Sequence, residues 1–61
     1  MQQIKQFRIS LDLTMKEFAK SIRVSLSLYE KIELGIRKPS RNFLEKLKEK
    51  YPQFDINVFF N

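Results

Sequence analysis

The chain has 61 residues, 43% hydrophobic and 31% charged, which is the balance of one small globular domain spanning 1–61 rather than of a disordered segment. It has no cysteine, no histidine and one glycine, which excludes a disulfide framework, a thiolate zinc site, the commonest general base and a Gly-rich phosphate cradle. Twelve Lys and Arg against seven Asp and Glu give a net charge of +5, so the expected partner is a polyanion, nucleic acid before an anionic membrane surface.

The predicted elements are helical throughout. Ile4, Phe7, Arg8 and Leu11 fall at i, i+3, i+4 and i+7 and mark one face of a first helix. Thr14 and Glu17 have capping-box spacing, which opens a second helix through about Ser21 with Phe18, Ala19 and Ile22 turned inward. Ser25 caps a third helix running to about Leu34, with Leu28, Tyr29 and Ile32 on its inner face. Gly35 stops that helix by accepting a left-handed conformation. A basic loop, Ile36-Arg37-Lys38-Pro39, leads to Ser40, the cap of a fourth helix lined by Phe43, Leu44, Leu47 and Tyr51. Pro52 ends it, and Asp55 caps a last short turn carrying Ile56, Phe59 and Phe60. No stretch alternates long enough to form a strand, so the expected fold is all-α, four or five short helices around one small core.

No apolar run approaches the roughly 20 residues that cross a bilayer, and the first five residues lack the apolar stretch of a secretory signal. A cytoplasmic protein that does not bind membrane is expected. Glu45 and Glu49 alternate with Lys46, Lys48 and Lys50 as on an ordinary solvated helix face. No enzyme activity, cofactor, metal or small-molecule substrate is therefore expected.

About three residues, Arg23, Val24 and the capping Ser25, join the second and third helices. So tight a connection on a basic chain fits a helix-turn-helix, and also other small helical bundles. The residues themselves narrow the choice. Arg8, Leu13-Thr14, Glu17-Phe18-Ala19, Val24-Ser25, Ile32-Glu33, Gly35 and Pro39-Ser40 follow one ordered pattern between about Ile4 and Leu47. In that pattern the chain resembles the Cro/repressor class of helix-turn-helix DNA-binding proteins, the phage repressor-like or XRE family.

The resemblance implies a lambda repressor-like DNA-binding fold. It also implies a sequence-specific transcriptional regulator, a repressor, that binds double-stranded DNA and reads the major groove with the helix at about 25–34. That helix is roughly 15 Å long at 1.5 Å per residue, against a groove about 12 Å wide. Carried over by position, the base contacts are Leu26, Ser27 and Lys31, with Leu28 at the edge. Lys31 donates to guanine O6 or N7, Ser27 pairs with several base edges, and Leu26 offers apolar contact to a thymine methyl. Many relatives carry glutamine or another polar residue at the positions of Met15 and Leu26. The other use for Leu26 and Leu28 is core or a partner surface.

Arg37, Lys38 and Arg41 flank Pro39, while Lys16 and Lys20 lie one turn apart with Arg23 close behind. Like charges at i, i+4 repel unless an anion lies between them, and these six are the expected phosphate contacts. Arg8 and Glu33 each sit on or beside an apolar stripe. A buried charge must be paired and family members show such a pair at these positions, so a structural bridge from the first helix to the end of the third is expected.

Phe54, Phe59 and Phe60 lie within the last eight residues, beside Ile56 and Val58. One short turn is not expected to bury them all. Val58 or Phe60 should face outward, as the contacts of a homodimer or as part of a tail folded over the core. The competing function is a protein-interaction adaptor or antirepressor that keeps the fold without specific DNA reading.

Overall fold

In the computed structural model, which describes residues 2–60, hydroxyl side chains start three of the four α-helices found among those residues. Thr14 precedes α2 (Met15–Ser21), Ser25 precedes α3 (Leu26–Glu33) and Ser40 precedes α4 (Arg41–Lys50). Each accepts a hydrogen bond from the backbone N–H three residues on, at Glu17, Leu28 and Phe43. At Thr14 the box is complete, because the Glu17 carboxylate accepts from the Thr14 N–H at 2.9 Å. The Thr14 backbone N–H, and after it the Thr14 side chain, hold the Glu17 carboxyl below its ordinary value. Helix α1 (Gln2–Ser10) precedes these three, and a 3-10 turn (Ile56–Phe60) follows them. No helix among the described residues is long and apolar enough to cross a membrane.

The helix ends are as uniform as the starts. Two residues past the end of α1, α2 and α3 the backbone turns left-handed, at Asp12 (φ 60°), Arg23 (φ 61°) and Gly35 (φ 78°). In each case the next residue closes the helix: the N–H groups of Leu13, Val24 and Ile36 donate to the carbonyls of Arg8, Ala19 and Lys31. Glycine adopts this conformation freely, whereas a Cβ makes it cost roughly 1–2 kcal/mol. The two turns Asp12-Leu13-Thr14 and Arg23-Val24-Ser25 thus share one construction: a left-handed residue, an apolar residue, then a hydroxyl cap.

Helix α3 packs against both α2 and α1. Ile4, Phe18, Tyr29, Ile32, Phe43 and Leu47 are fully buried in one core with Ala19 and Ile22. Phe7 meets Tyr51 edge-on at 5.5 Å, and Tyr51 stacks on Phe18 at 5.1 Å. The Tyr51 hydroxyl shares a 2.7 Å hydrogen bond with Ser21, which ties the end of α4 to the end of α2.

The tail folds over the core, one of the two arrangements its sequence leaves open. After the turn at Pro52, Phe54 enters the core and meets Phe7 at 4.9 Å. Ile56, Val58 and Phe59 are half-buried against the same cluster. Of the two side chains expected to face outward, Val58 or Phe60, Val58 packs on the core and Phe60, 68% exposed, is the one that faces out.

Candidate nucleic-acid interface

Helix α3 and its cap, Leu34, divide their side chains between two faces. Tyr29, Ile32 and Glu33 are buried and Leu28 is half-buried, while Leu26, Ser27, Glu30, Lys31 and Leu34 are exposed. At 3.6 residues per turn, the exposed set covers an arc of about 140°.

The inner face is held to α1 by a charge network. Arg8 Nε and Nη2 donate to the two Glu33 carboxylate oxygens at 3.0 and 3.2 Å. Arg8 Nη1 donates to the Leu13 carbonyl at 2.8 Å, so the same guanidinium also fixes the α1–α2 turn. The Tyr29 hydroxyl donates to Glu33 Oε2. Burial pushes the Glu33 carboxyl up, but the bonds from Arg8 and Tyr29 outweigh it and hold the group below its ordinary value. In return the hydrogen bond to Glu33 raises Arg8, and burial together with Glu33 raises Tyr29. Tyr29 is an addition to the pair expected from sequence. Its signal was the i, i+4 spacing to Glu33 on a helix, and the need of a buried phenol for an acceptor.

The outer face is α3's free surface. Eight residues make it about 12 Å long, slightly shorter than expected because Ser25 and Leu34 are caps rather than helical residues. The structure brings Leu26, Ser27 and Lys31 onto one arc. Leu28 falls outside it, packed on the core. Glu30 and Leu34 complete the arc, and neither is among the base contacts expected from sequence. Met15, at the start of α2, is likewise half-buried against the core.

The cations fall into two groups. Lys16, Lys20, Lys31, Arg37 and Lys38 are exposed and, among the described residues, form no ion pair. Arg23 lies 3.7 Å from Glu49 and Arg41 lies 3.6 Å from Glu45, all four side chains well exposed. Such surface pairs contribute about 0–1 kcal/mol, so they open readily toward a stronger anion. Lys46 Nζ donates to the Arg23 carbonyl at 3.1 Å, which clamps the α2–α3 turn to α4. Lys38 and Pro39 line one cleft with Phe59 and Phe60, so the basic loop runs directly into the aromatic tail.

A family model described as helix-turn-helix, of the Cro/C1 type, matches residues 4–52. No curated protein and no solved structure gives a match. The matched span begins in α1, takes in the capped turn between α2 and α3, and ends just past α4. The chain therefore belongs to the Cro/C1-type, or XRE, family of helix-turn-helix DNA-binding regulators.

Proposed function

We propose that this regulator is a cytoplasmic repressor that reads a specific operator by laying α3 in the major groove. The observation that carries the reading is the exposed arc of α3, which sets Ser27 and Lys31 outward while its other face is fixed to α1 and α2. Lys31 donates to guanine, Ser27 bonds to a neighbouring base edge, and Leu26 packs on a thymine methyl. Lys16, Lys20, Arg37 and Lys38 neutralise phosphates. Arg23 and Arg41 join them by exchanging a solvated carboxylate for a phosphate.

Selection of bound sequences from a random duplex pool tests this. Lys31→Ala should lose about 1–3 kcal/mol at one base position, and Leu26→Ala should relax a thymine preference. Unaltered motifs from both variants would remove the base-contact assignment. No salt-sensitive binding at low salt would favour the adaptor reading, with exposed Leu26 and Leu34 as its surface.

The repressor acts as a homodimer through Phe60. One module touches few bases, and two copies of α3 related by a two-fold axis reach half-sites about 34 Å apart. Phe60 is an exposed aromatic group continuous with the cleft at Lys38 and Pro39. Sedimentation equilibrium decides the point. A parent that stays monomeric at high micromolar concentration, free and on a palindromic duplex, rules the dimer out. A folded Phe60→Ser monomer with unchanged half-site affinity supports it.

A further inference from the structure

Each acidic residue but one has a task within the fold. Glu17 completes the capping box of α2, and Glu33 is buried with Arg8 and Tyr29. Glu45 and Glu49 bridge to Arg41 and Arg23, and the Asp55 carboxylate accepts from the Asn57 N–H. Asp12 occupies a left-handed turn position, which aspartate tolerates better than most residues. Glu30 is the remainder. Among the described residues it makes no hydrogen bond through its side chain and no ion pair. The positions three and four residues away on its helix are Leu26, Ser27, Glu33 and Leu34, so no lysine or arginine stands where an intrahelical pair forms.

Its placement is as telling. Glu30 lies inside the exposed arc of α3, between Leu26 and Leu34, and next in sequence to Lys31. A carboxylate on this face, on a chain of net charge +5, opposes binding to any polyanion unless it meets a donor. The sugar–phosphate backbone offers it none. On the major-groove floor, guanine presents two acceptors and thymine one, and both repel it. Adenine presents an amino group beside an acceptor nitrogen. Cytosine presents an amino donor alone.

We infer that Glu30 is a base-reading acceptor that restricts one operator position to cytosine by accepting a hydrogen bond from its N4 amino group. This rests on the reading of α3 as the groove helix. Glu30 works mainly by exclusion. It weakens every duplex that sets an acceptor opposite it, and the right base relieves the penalty. With Lys31 beside it, the helix carries adjacent charges of opposite sign, so a reversed base pair places both against the wrong partner.

The test is selection from a random duplex pool with the parent, Glu30→Gln and Glu30→Ala, alongside titration of each with an unselected duplex. Glu30 is exposed and unpaired, so all three should melt alike. The parent pool should enrich cytosine at one position by roughly tenfold. Glu30→Gln should move that position to adenine, whose amino group and N7 suit a carboxamide. Glu30→Ala should lose the preference there, keep the rest of the motif, and bind the unselected duplex several-fold more tightly than the parent. One unchanged motif in all three pools overturns the inference while leaving groove reading by α3 intact. A parent that binds duplex but enriches nothing overturns both.

Discussion

Arg8 and Arg37 carry the same guanidinium group in opposite settings. Arg8 is almost sealed, its side chain 11% exposed, and its donors are taken by Glu33 and the Leu13 carbonyl. Arg37 stands exposed in the loop after Gly35 and, among the described residues, has no ion-pair partner. In the first setting charge fixes α1 against α3, and its value lies in the cost of leaving either partner alone. In the second, charge contributes nothing to the fold and remains available to an anion. Residue type does not distinguish them; the apolar stripe around Arg8 does.

The largest effect should come from breaking the sealed network. Glu33→Ala leaves Arg8 buried and unpaired, at a cost of about 3–5 kcal/mol. A domain this small has about that much stability in total, so the variant should be largely unfolded at 25 °C by circular dichroism. Removing all the partners at once should not have that effect. Arg8→Met, Tyr29→Phe and Glu33→Leu together should melt near or above the parent. A folded Glu33→Ala variant would erase the contrast with Arg37.

The open loop should respond in affinity instead. Arg37→Ala, Lys38→Ala and Arg41→Ala together should flatten the log–log salt dependence of duplex binding by roughly two to three, about 0.9 for each lost phosphate contact. The melting temperature should stay close to the parent's. An unchanged salt slope would remove the loop from the interface.

Acid separates the two regions more finely. The Glu33 carboxyl sits below its ordinary value of 4.5 in the folded chain, so the unfolded chain takes up its proton more readily. Its contribution is complete above pH 4.5 and is lost as the pH falls through the lower folded value. Urea midpoints should drop below that pH in the parent. The Arg8→Met, Tyr29→Phe, Glu33→Leu protein should lose much of that drop; a persistent drop of the same size would place its origin outside the network. The carboxyl of Glu17 is held low as well, so a smaller acid-sensitive part should remain and disappear on Glu17→Gln.

The smallest effect concerns a cation between the two settings. Arg23 is exposed, but its backbone is held at φ 61°. Arg23→Gly should relieve the steric cost and stabilise the fold by about 0.5–1 kcal/mol, since its pair with Glu49 is exposed and weak. The same change should weaken duplex binding if Arg23 touches phosphate. Unaltered salt dependence would assign Arg23 to the turn alone.

Much of this was legible in the sequence. Thr14, Ser25 and Ser40 announce their helices because a hydroxyl before an apolar period has few other uses, and Gly35 ends α3 where a left-handed residue is needed. Arg8 and Glu33 were readable as a pair because each interrupts an apolar stripe. What stayed hidden depends on tertiary contacts overriding local preference. Arg23 and Asp12 take a conformation that local propensity reserves mainly for glycine, and the helix closures at Val24 and Leu13 hold them there. The contact of Phe54 with Phe7 was not legible either, because it depends on the turn at Pro52 bringing the tail back to α1. On the outer arc of α3, Glu30 was legible as a negative charge near the groove, but its lack of an ion pair among the described residues shows only once the other helices are packed around it.

The three-residue turn Arg23-Val24-Ser25 has a consequence for the thermodynamics of association. Its backbone bonds, its cap and the Lys46 clamp leave it few alternative shapes, so α3 leaves α2 in one direction before any partner arrives. Docking then orders side chains and releases counterions but folds no helix. The heat-capacity change on binding should be small, close to what the contact area alone implies, without the large negative value that marks folding coupled to binding.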